Sequence, residues 1–407
     1  MSDTGSWLSA QAPPAIRQQN VAATVRTVLV HGPIARKEIA RLTGLSAASV
    51  SKVTANLLRA GLLYELPSEP MPGNAGAPRV PLDFARERYA VLGVHIGALR
   101  TTIGLVDVRG AAIVDERYEH EHTEPDDILN DAARHINNFV ERYGEERHLL
   151  GVGVTLAGWI DSESGIVIEH DTLGWRNVPV QAELAARIEL PVLVESSVRA
   201  RALAELWSGA AKTVGSLVYL FIGTVVDAAI VIDRNVHYGP RSAAGTIAHL
   251  QLDDRDARCD CGRSGCVQAY VTDLAAVRHA RERGITGVTT IQELVARARD
   301  GDESATAVLR ERAEKVGETA AIMLDMIDPD IVVFSDNAVT DTPDYLSAVR
   351  RGASNRAHTA IDTERLIVPT SFAEQAIVIA PATRVLDAFY EAPLAFLTNT
   401  TAEEPSL

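Results

Sequence analysis

Apolar side chains recur at Val21, Val25, Val28 and Leu29, the i, i+4, i+7, i+8 spacing of one buried helix face. His31-Gly32-Pro33 stops that helix. The segment ARKEIARL predicts a second, short helix with Ile39 and Leu42 turned inward. Thr43-Gly44-Leu45-Ser46 reads as a tight turn, and Ser46 is a good N-cap for a third helix, AASVSKVTANLLRA. This third helix buries Val50, Val53, Leu57 and Leu58 and ends at Gly61. Beyond it, LLYEL and RVPLDF predict two strands around the Pro/Gly-rich SEPMPGNAGAP. Prolines from Pro67 to Pro81 also mark a linker between this head and a larger body.

From residue 90 the period changes from helical to alternating and β-branched. VLGVHIGALRTTIGLVDVRG predicts two strands joined by a short turn, and AAIVDERYE a third. A helix over 126–143, the strand LLGVGVTLAG, the strand ELPVLVESS and the helix VRARALAELWSG come next. The order then returns in looser form: SLVYLFIG, DAAIVIDRNV, several helices, DIVVFSD, a helix and RLIVPT. A doubled pattern of this kind predicts a two-lobed α/β body with a ligand cleft between the lobes. EQAIVIAPATRVLDAFYEAP is a last apolar helix packed on that body. The expected organisation is a disordered tail over 1–15, a head over 16–84, a body over 90–394 and a second disordered tail over 395–407.

Helix, glycine-containing turn and a second helix with small outward residues is the helix-turn-helix arrangement, and the two strands add a wing. Ser46, Ala47, Ala48, Ser49, Ser51, Lys52 and Asn56 are placed to meet base edges and phosphates in the major groove. Arg36 and Lys37 from the preceding helix and Arg79 from the wing are candidate backbone contacts. The bland alternative is a three-helix protein-interaction module carrying a surface hairpin.

Charge sharpens this picture. The chain of 407 residues has a net charge of −15, yet residues 1–66 carry seven basic against three acidic side chains, a net of +4. A basic head on an acidic body is what a protein needs whose head meets phosphate and whose body avoids it. No apolar run approaches the roughly 20 residues that cross a bilayer, and the opening MSDTGSWLSAQAPP lacks a secretory pattern, so a cytoplasmic location is expected.

All three cysteines, Cys259, Cys261 and Cys266, fall within HLQLDDRDARCDCGRSGCVQ, the first of them ten residues after His249. Three thiols and an imidazole make a closed tetrahedral donor set for structural Zn2+. Gly262 and Gly265 supply the positive φ that a metal-wrapping loop requires. An odd number of cysteines argues against a disulfide framework.

Together these features resemble the ROK family (repressors, open reading frames and sugar kinases), specifically its winged-helix transcriptional regulators. The resemblance spans about residues 16–392 and is most specific in the head, in Leu173-Gly174-Trp175, in AGTIAH at 244–249 and in CDCGRSGC. It implies an actin-like, hexokinase-like body, a zinc site at His249, Cys259, Cys261 and Cys266, and a homodimer or homotetramer. It also implies a double-stranded, pseudo-palindromic DNA operator and a repressor of carbohydrate-related genes.

The family's kinase parts are altered here. Where family kinases open with Asp-x-Gly-Gly-Thr-Lys, this chain has His95-Ile96-Gly97-Ala98-Leu99-Arg100. Their second phosphate loop, Gly-Thr-Gly-x-Gly, is Gly223-Thr224-Val225-Val226-Asp227 here, and their catalytic Glu-Asn-Asp is Glu195-Ser196-Ser197. A serine without an activating partner is no general base, so phosphoryl transfer is not expected. Thr246 and Gln268 stand where the family places sugar-binding carboxylates. With Ser196, Ser197 and His249 they form the candidate effector set, able to hydrogen-bond neutral hydroxyls. Two readings of the cleft stand: retuned to another carbohydrate or metabolite, or binding nothing. The alternative to a regulator is an ATP-dependent sugar kinase with a fused DNA-binding head.

Overall fold

The computed structural model describes residues 13–68, 80–144, 146–252, 257–336, 338, 342, 344–359 and 362–400. The expected N-terminal tail lies mostly outside these residues, and Pro13 already opens the first helix.

Helix α1 (Pro13–His31) buries Val21, Val25, Val28 and Leu29 as its spacing requires. Strand β1 (Ile34–Ala35), helix α2 (Arg36–Thr43) and helix α3 (Ala47–Arg59) come next. Ile39 is fully buried, but Leu42, expected inward, is 40 % exposed. Helix α2 is only eight residues long, and three positions on from Ile39 the helix has turned Leu42 about 60° off the packed face. In α3 Val50, Val53 and Leu57 are buried, whereas Leu58 lies half-buried against the same core. Strands β2 (Leu63–Glu65) and β3 (Pro81–Phe84) pair antiparallel and, with β1, form a sheet of order β1-β3-β2. The Pro-rich stretch therefore joins the strands of the wing and does not link head to body. Four residues, 85–88, make that connection.

The first lobe contains β4 (Tyr89–Ile96), β5 (Arg100–Asp107), β6 (Ala112–Glu119), α4 (Pro125–Tyr143), β7 (His148–Leu156), β8 (Trp159–Asp161), β9 (Ile166–His170), β10 (Trp175–Val178), α5 (Val180–Ala185), β11 (Val192–Ser196) and α6 (Ser197–Ser208). Its main sheet has the order β11-β7-β4-β5-β6. Central strands β4 and β5 are buried along almost their whole length because both faces are covered, whereas edge strand β6 alternates half-buried and exposed positions. The antiparallel set β8-β9-β10 was not anticipated from the sequence, since its strands of three to five residues are too short for periodicity to register.

The second lobe repeats the plan. It holds β12 (Leu217–Ile222), β13 (Val226–Ile232), β14 (Asn235–Val236), α7 (Gln268–Val271), α8 (Asp273–Glu282), α9 (Ile291–Arg299), α10 (Glu303–Ile327), β15 (Ile331–Asp336), α11 (Tyr345–Arg356), α12 (Thr363–Leu366) and β16 (Ile367–Pro369). Its sheet, β14-β13-β12-β15-β16, has the same order of antiparallel and parallel neighbours as the first. The chain closes with α13 (Ala376–Glu391) and α14 (Pro393–Thr400). Helix α14 occupies positions where a disordered tail was expected from 395; residues 401–407 lie outside the described part. Among the described residues no helix is long and apolar enough to cross a membrane.

Helix α13 lies across the first sheet, and glycines make the approach possible. A β-carbon on Gly93 would run into the Val378 carbonyl, and one on Gly153 into that of Pro381. Its far end reaches the head. Val21, Val25, Val28 and Leu29 of α1 share one apolar cluster with Val385, Leu386, Phe389 and Tyr390 of α13 and with Trp207 of α6. Arg26 lies 5.0 Å above the Trp207 ring and pairs with Glu391 at 2.7 Å. The Tyr89 hydroxyl donates to Ala60 O at 2.6 Å, and Arg109 reaches both Asp83 and Leu29 O.

Phe389 is fully buried at this junction. Phe389→Ala is expected to cost about 3–5 kcal/mol and to expose the head to proteolysis ahead of the body. Urea unfolding together with limited proteolysis measures both effects, and a head that resists cleavage as in the parent chain contradicts the shared core.

Candidate functional site

The head presents α3. Gly44 ends α2 at φ +71°, a conformation favoured by glycine, and the Ser46 side chain accepts the Ser49 amide hydrogen at 3.2 Å to start α3. Ala47, Ala48, Ser51 and Lys52 are exposed on its outer face, and Ser49 and Asn56 are half-buried. Lys37 is also exposed. Arg36 is placed differently. Its Nε donates to Thr54 Oγ1 at 3.1 Å and its Nη2 pairs with Glu65 at 2.7 Å, so it ties α2 to α3 and to the wing. Arg79 lies outside the described residues. Arg59, not among the expected DNA contacts, is exposed at the end of α3 and bonded to Asn56 Oδ1 at 3.1 Å. Its signal was its place three residues beyond Asn56 on the same face.

The second site is the loop before α7. One ligand atom each from His249, Cys259, Cys261 and Cys266 can be chosen so that all lie within 4.8 Å of one another. Cys261 Sγ and Cys266 Sγ are 3.7 Å apart, and Cys259 Sγ is 3.6 Å from His249 Nδ1. Ligands about 2.3 Å from a tetrahedral zinc stand about 3.8 Å apart along each edge, so the donor set fits such an ion. Gly262 and Gly265 take φ of +85° and +80°, as expected for the turn. Short antiparallel bridges, Gln251 to Cys266 and Arg258 to Ser264, hold the loop. Gln268 Nε2 donates to Cys259 Sγ at 3.2 Å and Arg263 Nε to Cys261 Sγ at 3.4 Å. The Arg263 contact draws the Cys261 thiol down to about 6, while burial pushes that of Cys266 up.

The third site is the cleft. His95, next to last in β4, pairs with Thr155 of β7, and its Nδ1 is 3.1 Å from Thr155 Oγ1 and 3.5 Å from Ser197 Oγ. Burial, with Arg201 and His170 nearby, pushes the His95 imidazole down to about 3, so it stays neutral. Asp227, the second residue of β13, is pushed up to about 7 by burial. Glu195 is fully buried and saturated: it accepts from Ser162 Oγ, Ser196 N, Arg199 Nε and Tyr238 OH at 2.5–3.0 Å. The expected effector residues separate into two groups. Ser196 and Ser197 stand at the β11–α6 junction with Ser196 buried, whereas His249 and Gln268 converge on Cys259. Thr246 is exposed and bonded to Ala243 O at 3.0 Å. Trp175 is a core residue, and Trp159 bridges the lobes by donating to Arg241 O at 2.7 Å.

His95 generates a pH prediction. Its folded pKa lies below the ordinary 6.5, so the unfolded chain binds the extra proton first as pH falls. Stability from this group is complete above about pH 6.5 and is lost towards pH 3, with a slope of at most about 1.4 kcal/mol per pH unit. His95→Asn is expected to flatten the decline between pH 6.5 and pH 4.5. Urea midpoints across that window test it, and parallel curves for the two chains would refute it.

The ROK family model matches residues 91–384. A transcriptional regulator of Mycobacterium tuberculosis is 35% identical over 353 residues, covering 83% of this chain and 79% of its own. The xylose repressor of Bacillus spizizenii is 23% identical over 382 residues, 92% of this chain and 97% of its own. Among solved structures, a ROK family transcriptional regulator described as a homolog of the Escherichia coli MLC protein superposes with a TM-score of 0.81 at 24% identity, over 95% of this chain and 100% of the other. A ROK family glucokinase from Streptomyces griseus, in complex with glucose and AMPPNP, gives a TM-score of 0.63 at 22% identity over 72% and 98%. With the family match running through most of both lobes and a relative 35% identical over 83% of this chain, the chain belongs to the ROK family.

Proposed function

We propose that this protein is a DNA-binding transcriptional regulator, a repressor of carbohydrate-related genes, whose body holds and adjusts the head and transfers no phosphoryl group. The observation that carries the reading is the outer face of α3, where small residues, hydroxyls and Lys52 stand exposed behind a capped helix start. Small side chains let the helix enter the major groove, while Lys52 supplies phosphate charge and Ser51 a hydrogen-bonding group. Lys37 and Arg59 extend the basic surface, and Arg79, outside the described residues, is a further proposed contact to the DNA backbone. A homodimer or homotetramer presents two such heads to a pseudo-palindromic operator. The names of the relatives, a transcriptional regulator and a xylose repressor, support this reading.

Three groups argue against the kinase alternative. Ser197 offers a hydroxyl where the proton acceptor of a kinase would stand. Neutral His95 occupies the first phosphate turn, and Asp227, which resists ionisation, occupies the second. A coupled assay with ATP and hexoses is the counter-test, and measurable turnover would overturn this part.

The His249, Cys259, Cys261 and Cys266 set is assigned to structural Zn2+. The ion would cross-link a loop that has little regular structure of its own, and Gln268 and Arg263 would brace two of the thiolates. About one zinc per chain is expected by elemental analysis, with Cys261→Ser losing metal and stability together. An effector in the cleft would act by binding the open and closed arrangements of the lobes unequally.

The test of the head is a gel shift on the protein's own upstream region. Lys52→Ala is expected to weaken binding across all sequences and to lower the salt slope by about one. Affinity indifferent both to salt and to Lys52→Ala refutes DNA recognition through α3. Arg36→Ala reports instead on the packing of the head, since Arg36 is held by Thr54 and Glu65.

A further inference from the structure

Between β8 and the 238–242 loop lies a cavity of about 740 Å3, within the size range of small-molecule sites. None of Ser196, Ser197, Thr246, His249 or Gln268 lines it. Several polar groups in its wall already have partners within the protein. Trp159 Nε1 donates to Arg241 O, Asp161 accepts from Ser164 and Ser242, and Ser162 and Tyr238 both donate to Glu195.

Arg384 differs from these. It projects from α13 into this wall with a side chain 20% exposed, and its Nε is buried without a hydrogen-bond partner. The nearest carboxylate oxygen, Glu195 Oε2, is 3.9 Å away and already takes the Tyr238 hydroxyl hydrogen. Burying a guanidinium nitrogen without an acceptor is costly, and a ligand oxygen arriving through the cavity would remove that cost.

We propose that this cavity binds a small hydroxylated anion. Its carboxylate or phosphate meets the planar fork of Arg384, and its hydroxyl-bearing carbon face lies on Trp159 beside Asp161 and Ser242. Arginine suits two-pronged recognition of either oxyanion. The site is separate from the family-derived effector positions and needs neither the zinc loop nor ATP chemistry. Arg384 also stands one turn from Asp387, which accepts from Trp207 Nε1 at 2.8 Å, and two turns from Glu391, the partner of Arg26 on α1. An anion on Arg384 thus sits at one end of a short chain of contacts that reaches the head. Use of that chain to alter DNA affinity rests on the proposed regulator function, whereas binding does not.

The experiment is calorimetric titration of the full chain with D-glucuronate, D-glucose 6-phosphate and uncharged D-glucose. At least one anion is expected to bind at least tenfold tighter than glucose. Arg384→Met is expected to weaken that anion at least tenfold, and Arg384→Lys to retain part of the affinity. Trp159→Ala, at another lining residue, is expected to weaken it too and serves if Arg384→Met misfolds by circular dichroism. Saturable binding by neither anion, equal binding of glucose, or an anion affinity unchanged in both Arg384→Met and Trp159→Ala would overturn the site. A gel shift on unliganded protein is run separately, so failure there counts against DNA binding alone.

Discussion

The apolar seam between α1 and α13 is the constraint on which the remaining structure depends. A winged head on a loose tether would search for DNA independently of its body. Here Val21, Val25 and Val28 bury themselves against Leu386, Phe389 and Tyr390, and Trp207 closes the seam from α6. Polar contacts then fix the angle. Arg26 is held between the Trp207 ring and Glu391, and Arg109 binds the carbonyl of Leu29 near the end of α1. A side chain packed on several neighbours cannot slide without opening a cavity, so the orientation of the head follows that of the first lobe. In an assembly of two chains, the body would then set the separation of the two recognition helices.

The lobes are held by polar hubs of another kind. Glu195 and Glu205 are both fully buried, and each is surrounded by donors from distant parts of the chain. Arg312 likewise joins Asp273, Asp336 and Tyr345 inside the second lobe. A buried charge that loses one partner is strongly destabilising, so such hubs specify one arrangement more than they add stability. The described residues of the loop over 237–267 form few ladder bonds, although Ile247, Leu252 and Val267 are buried in the core of the second lobe. Beyond those anchors the gathered thiols and imidazole lie together, and the proposed metal would cross-link the rest of the loop.

Within the cleft, the same fold that carries glucokinases presents groups that favour neutrality. Burial keeps His95 uncharged and disfavours ionised Asp227. A nucleotide with its magnesium needs the opposite, a carboxylate that is charged and a loop of open amides. This supports the proposal that the body persists as a scaffold and sensor.

Much of this protein was legible in its residues. The head helices followed from Val21 to Leu29 and Val50 to Leu57, and the turn from Gly44 and Ser46, because helix period and capping act over a few neighbours. The two sheets announced themselves as apolar β-branched runs, and the cluster of potential metal ligands by the spacing of Cys259, Cys261, Cys266 and His249. Only the folded chain decided what distant side chains do to one another. It turned Leu42 outward, gave Arg36 to Thr54 and Glu65, and set Gln268 against Cys259 while Ser197 went to His95. It also left Arg384 facing a cavity, 189 positions from the Glu195 it approaches. Periodicity and capping report each residue's immediate neighbours, and no local pattern encodes which partner, scores of positions away, will meet a given charge.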